Sequence, residues 1–370
     1  MRIGIMTPWW THDNYGQILQ GYALQTVLNT EGFDAFIIKY NAQSDIAIYK
    51  SREGGYLKYL AAYVKQFIKY VLYDCLSIYD KRKFNDFKKR YIKLSKIYLT
   101  YEKLLKSYPK ADVYIAGSDQ IWGPWFRLAP YFLDFGKKEI KRIAYASSFG
   151  REELSDKEKT IIAPLIKKLD FIGVRELSGI EVCKRLGDNR AMWVPDPTML
   201  LTKEDWINII KKRDNYKVNN SKIFIYVVGN DSTRDIEKVV DIINENSKYF
   251  VYYASDINEK IQNITPTIDE WVSLINDSDI IITNSFHGTV FSILLNKQFI
   301  TMPRINEQTK KMNTRIISLL ERLNIRNRFV DIVDKENIDS IINSCIDWEI
   351  INKEVSMWRE QGKRQLFANI

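Results

Sequence analysis

The sequence predicts an α/β protein of two domains, each built on a parallel sheet, and three observations carry that expectation. The first 40 residues read as strand, loop, helix, strand, a βαβ opening whose sites would sit at the C-terminal ends of the strands. A second α/β pattern begins beyond Trp193-Val194-Pro195-Asp196-Pro197-Thr198, where two prolines in three residues stiffen the chain between apolar stretches. Within it, Ile280 to Leu295 is a β-branched run that feeds a polar turn and then an apolar helix. A length of 370 residues agrees, being ordinarily two domains. We place the first domain at residues 1–193, the second at 194–344, and a C-terminal helix at 345–370 that packs back on the first.

Taken in order, Ile3-Gly4-Ile5-Met6 is the opening strand, Thr7 to Gly16 a loop, Ile18 to Leu28 a helix and Ala35 to Lys39 the next strand. The loop carries Trp9, Trp10 and His12. Two tryptophans at a strand C-terminal edge suit stacking on a sugar, or packing against a neighbouring domain. Residues 56–108 alternate Tyr, Lys and aliphatics and read as amphipathic helices. From Lys58 to Lys110 there are fourteen Lys and Arg against four Asp and Glu, so this segment holds the whole of the chain's net charge of +9. A solvated helical face, an anionic membrane surface and RNA are the three readings of such a patch.

Asp112 to Ala116 is a further strand, followed by the turn Gly117-Ser118-Asp119-Gln120-Ile121-Trp122. There Asp119 either accepts a proton from a substrate hydroxyl or caps the next helix. Lys141 to Ser147 is a strand ending in a small-residue loop with Arg151, and Phe171 to Val174 another, ending at Arg175-Glu176. In the second half Ile223 to Val228 is a strand ending at Gly229-Asn230-Asp231, with a helix over Arg234 to Asn244. Phe250 to Ala254 is a strand and Ile268 to Ile275 a helix. Phe299 to Met302 is the last strand, Arg304 to Asn313 a basic loop, and Thr314 to Leu323 a helix. The tail from Ile338 to Phe367 is helical.

The stretch from Ile280 is the most informative. A strand that stops at Asn284-Ser285-Phe286-His287-Gly288 and enters a helix aims N–H groups and a positive dipole end at that turn, which favours an anion. His287 then stands beside the anion; alternatively Ser285 is a plain cap and His287 a satisfied turn residue. Three cysteines, far apart and without a CxxC spacing, argue for reduced thiols in a cytoplasmic compartment and against a structural zinc site. The opening strand leaves no room for a signal peptide, and no apolar run is long enough to span a bilayer.

Four motifs occur in order. They are Asn14-Tyr15-Gly16 with Leu19-Gln20 and Ala23-Leu24-Gln25, then Gly117 to Trp122, then Asp196-Pro197-Thr198, then Ser285-Phe286-His287-Gly288. Together they resemble the polysaccharide pyruvyl transferase family. The resemblance implies a GT-B-like fold, two Rossmann-like domains facing a central cleft. It implies transfer of pyruvate from phosphoenolpyruvate to two hydroxyls of a sugar, giving a cyclic ketal and phosphate. The acceptor would be a surface polysaccharide or its lipid-linked precursor, met at the inner face of the membrane. His287 would belong to the phosphoenolpyruvate site and serve as general acid, with Ser285, Gly288, Arg304, Lys310, Lys311, Arg315 and Arg151 as further donor contacts. Asp119 is the nominee to orient an acceptor hydroxyl, and Trp9, Trp10, Asn14, Tyr15, Ser118 and Trp122 form the expected acceptor side. No cofactor, metal or nucleic acid enters this scheme. Two other classes stay open: a GT-B glycosyltransferase using a nucleotide sugar, since fold alone does not fix chemistry, and a non-catalytic RNA- or membrane-binding protein built on the basic segment.

Overall fold

Short runs such as Val113–Ala116 and the β-branched Ile280–Thr283 become strands buried on both faces, as parallel sheets require. The computed structural model describes residues 1–124, 128–210, 221–229, 233–245, 249–255, 264–307 and 309–370. Asn230 and Asp231, which follow Gly229 in the sequence, lie outside them. In the first half the strands are β1 (Arg2–Met6), β2 (Asp34–Tyr40), β3 (Leu94–Tyr98), β4 (Val113–Ala116), β5 (Lys141–Ser147), β6 (Phe171–Val174) and β7 (Met192–Trp193). They form one sheet in the order β3-β2-β1-β4-β5-β6-β7, parallel throughout. In the second half β8 (Lys222–Val227), β9 (Phe250–Ser255), β10 (Ile280–Thr283) and β11 (Gln298–Thr301) form a parallel sheet in the order β11-β10-β8-β9.

Each sheet has its own core. Phe36, Ile38, Tyr114, Ala144 and Ile172 pack under helices in the first. Ile223, Ile225, Ile280, Ile282, Ile300 and Val239 do so in the second. At roughly 1.5–3 kcal/mol for each fully buried large aliphatic side chain, these stripes fix which strand face meets which helix. Met1–His12, Gln17–Leu200 and Glu360–Ile370 make one compact unit, and Asp13–Gly16 with Leu201–Arg359 the other. The first helix, Tyr15–Thr30, thus has its opening residues with the second unit.

One expectation is corrected. Residues 81–106 are not one amphipathic helix: the helix Phe84–Tyr91 is followed by β3 and then the helix Tyr101–Ser107. Leu94, Ile97 and Tyr98 pair with β2 instead, and Thr100 caps the second helix by accepting the Lys103 N–H. The tail is helical as expected, in two helices, Lys335–Asn343 and Trp348–Ala368. Among the described residues no helix is long and apolar enough to cross a membrane.

Candidate active site

Both sheets change direction once. In the second this happens between β8 and β10, where the chain leaves β8 toward β9 on one side and returns on the other. Such a switch point opens a crevice at the strand C-terminal ends. Asn284, the first residue past β10, closes the two strand ends together: its side chain accepts the Val228 N–H at 2.8 Å and donates to the Val228 carbonyl at 3.1 Å. Ser285 then caps the helix Phe286–Leu294, its hydroxyl accepting from Gly288 N. Gly288 is required because a methyl there would overlap the Thr283 hydroxyl, which donates to Tyr226 O at 2.6 Å. The helix therefore begins hard against the strand, with its first-turn N–H groups and positive dipole end at the switch point.

An imidazole and two guanidinium groups gather at this helix end. His287 lies in the first turn and is 6% exposed. The Arg304 Nε reaches the Asn284 carbonyl at 3.4 Å, and its backbone is clasped by the Asn313 side chain through two bonds of 2.9 Å. Arg315, also buried, holds its guanidinium 5.5 Å from the centre of the Phe286 ring and donates to Met312 O. Gly16 faces the His287 imidazole so closely that a methyl at position 16 would overlap Nδ1. Tyr15 beside it is fully buried, stacked on Trp271 at 5.1 Å and donating to the Pro266 carbonyl at 2.6 Å. The first loop's Asn-Tyr-Gly is thus part of the wall behind His287.

In the first sheet the switch point lies between β1 and β4, and here polar side chains pair with one another. Thr7 donates to Ser118 O, and Gln20 links Thr7 Oγ1 to Ser118 N. Ser118 Oγ lies 3.1 Å from Asp196 Oδ2. Arg175, whose side chain is fully buried, donates to Asp196 at 2.9 Å and to Asp119 at 3.2 Å. Asp196 also accepts the backbone and hydroxyl of Thr198. Burial works against the charge on Arg175, but the carboxylates of Asp196, Asp119 and Glu176 outweigh it and raise its hold on the proton above the ordinary arginine value.

A family model of polysaccharide pyruvyl transferases matches residues 14–306. The chain belongs to this family. A search of curated proteins finds no match. Among solved structures, UDP-N-acetylglucosamine 2-epimerase from Rickettsia bellii superposes with a TM-score of 0.56 at 8% identity, covering 100% of this chain and 96% of that one. UDP-GlcNAc 2-epimerase from Methanocaldococcus jannaschii gives 0.50 at 11% identity, covering 94% and 93%. The S. aureus MnaA-UDP co-structure gives 0.50 at 10%, covering 96% and 90%. At such identities the likeness is one of fold, and the fold of this pyruvyl transferase family member is GT-B.

The residues nominated from the sequence fall into three groups. His287, Ser285, Gly288, Arg304 and Arg315 come together at one helix end. Lys310 and Lys311 sit on an exposed turn before the helix Asn313–Arg322, Lys310 paired with Glu307 at 2.5 Å. Arg151 belongs to the first unit and is paired with Glu158 at 2.6 Å. The acceptor-side tryptophans need correction. Trp122 is fully buried, parallel to Phe132 at 4.6 Å and donating to Tyr131 O, so it presents no stacking face. Trp9 is 2% exposed and donates to Tyr40 O at 2.7 Å, with Lys39 Nζ over its ring. Tyr15 is likewise interior, and it and Asn14 group with the second unit rather than the first. Trp10 is partly buried against the first core. Ser118 is buried in the Arg175 cluster, and Asp119 is ion-paired there. The sequence reading passed over Arg175 and Asp196 as site residues. Their signal was a buried-strand end carrying Arg-Glu and the Asp-Pro-Thr motif.

Proposed function

We propose that this chain transfers pyruvate from phosphoenolpyruvate to two hydroxyls of a saccharide, forming a cyclic ketal and releasing phosphate. The observation that carries the reading is the convergence of His287, Arg304 and Arg315 on the N-terminus of one helix at a sheet switch point. A donor with both a phosphate and a carboxylate asks for several cations and backbone N–H groups in one place, and this end of the second sheet offers that set. In the proposed reaction the protonated His287 gives its proton to the methylene carbon of the enol phosphate. The cationic centre left at the adjacent carbon takes one acceptor hydroxyl, whose proton returns to His287, and the proton of the second hydroxyl leaves with the phosphate. The second hydroxyl then displaces phosphate at the same carbon, closing the ring. Each step uses acid–base and electrostatic assistance alone. Asp119, held by Arg175, is the proposed orienting group for the acceptor. We take the acceptor to be a polysaccharide precursor, lipid-linked and met at the cytoplasmic face of a membrane.

The test is phosphate release from phosphoenolpyruvate, with free and lipid-linked galactosides, mannosides and hexosamines as acceptors. Release that requires both partners, with a ketal in the product, supports the reading. Inertness toward phosphoenolpyruvate with turnover of a nucleotide sugar would replace it with glycosyl transfer.

A further inference from the structure

The helix Tyr56–Tyr70 is amphipathic the wrong way round for a globular protein. Its half-buried face carries Tyr59, Ala62, Tyr63, Gln66 and Tyr70, spaced to form one stripe. That face is tied down by polar contacts: Tyr70 accepts from Lys39 Nζ at 3.1 Å, and Gln66 Oε1 accepts from Ser44 at 3.3 Å. The aliphatic face is turned to water instead. Leu57 is 81% exposed, and Leu60, Val64 and Ile68 are each exposed by 44% or more. These side chains wall a shallow groove that Lys65 and Lys69 flank. The apolar surface continues past the helix through Leu76, Ile78 and Tyr79.

Charge says what covers this face. The helix holds Lys58, Lys65 and Lys69 and no Asp or Glu, and none of the three lysines has a carboxylate partner among the described residues. The centre of a protein–protein interface is depleted of lysine. A lipid surface accepts this combination: aliphatic side chains enter the acyl boundary, lysines reach anionic headgroups, and tyrosines sit at the level between. We propose that the helix Tyr56–Tyr70 lies in the plane of an anionic membrane and docks the chain on it. The basic residues beyond the helix are not equivalent to it. Arg82 and Lys88 are buried, so the charge of that stretch overstates what reaches a surface. The inference gives the proposed lipid-linked acceptor a place to be met. It rests on that reading only for its purpose, because vesicle binding is measured without donor or acceptor.

The experiment is co-sedimentation of the full chain with phosphatidylcholine vesicles, with and without phosphatidylglycerol, across a salt series. The wild-type chain should bind the anionic vesicles and be released as salt rises. Leu60→Ser with Val64→Ser and Ile68→Ser should weaken binding by about tenfold or more, as should Lys58→Gln with Lys65→Gln and Lys69→Gln. Both triple variants should keep the wild-type far-UV spectrum and melting temperature, since every changed side chain is exposed. Absence of binding by the wild type, or equal binding by both variants, overturns the proposal. So does a wild-type dimer in the absence of lipid that the serine variant converts to monomer, which would make the face a contact between copies.

Discussion

The two switch points share a topology and differ in chemistry. In the first sheet Thr7, Gln20, Ser118, Asp119, Arg175 and Asp196 satisfy one another, and a single buried guanidinium binds two carboxylates. In the second, the His287 imidazole and the guanidinium groups of Arg304 and Arg315 lie at a helix N-terminus with no Asp or Glu in its first turn. One crevice is lined by polar side chains paired with one another, and the other brings two guanidinium groups and an imidazole to one helix end. The difference teaches that strand order fixes where a site can lie, while the residues past each strand end decide whether it is a strut or an anion site.

Breaking the strut should have the largest effect. Arg175→Met leaves Asp119 and Asp196 buried without their cation, and should cost roughly 3–5 kcal/mol of stability, read by urea denaturation. A loss below about 1 kcal/mol would show that the first crevice is more open to water than its burial indicates. Next comes the anion site. His287→Gln should bind phosphoenolpyruvate within about tenfold of wild type, roughly 1.4 kcal/mol. Its single-turnover ketal formation should fall about 10²-fold or more, the usual share of a general acid. Wild-type turnover in this variant would make His287 a plain structural residue. Arg304→Gln should weaken donor binding by about tenfold with little change in melting temperature. Calorimetric titration that finds donor affinity untouched would remove Arg304 from the anion site.

The smallest expected effect separates the strut from its surroundings. Asp80 lies outside both crevices and accepts the N–H groups of Phe84 and Asn85 at the start of the helix Phe84–Tyr91. Burial opposes its charge, yet His12 and these N–H groups outweigh it and hold the carboxyl below the ordinary aspartate range. A lowered value in the folded state means the stabilisation is full above that range and is lost as pH falls through the lowered value. Asp80→Ala should therefore cost about 1 kcal/mol at neutral pH, and progressively less in acid. A cost that is flat across the acid limb would assign it to lost packing.

Much of this fold was legible because buried parallel strands leave short apolar runs ending in Gly, Ser or Asn. The turns Gly117-Ser118 and Asn284-Ser285 are legible as strand ends, while the strand order that makes them switch points is not. The misses have a common cause: burial is a property of the assembled chain. Alternating Lys and aromatics over residues 81–106 fit a helix or an edge strand equally well, and only pairing with β2 decides for β3. Trp9 and Trp122 stand in polar loops, where nothing local shows that their rings turn inward. Lys88 reads as surface charge, yet burial brings it down to about 8, partly offset by Asp74 and Asp80. The pairing of Arg175 with Asp119 and Asp196 joins three separate strand ends, which no spacing rule reaches.

Gly16 carries one more consequence. It has no side chain because the His287 imidazole occupies the place where one would go. Two positions 271 residues apart in the sequence (287 − 16) therefore form a single heritable unit. A lineage that trades the imidazole for a smaller group gains freedom at position 16, while one that keeps it must keep glycine. Related sequences should divide accordingly, with a substituted position 16 found only beside a substituted position 287.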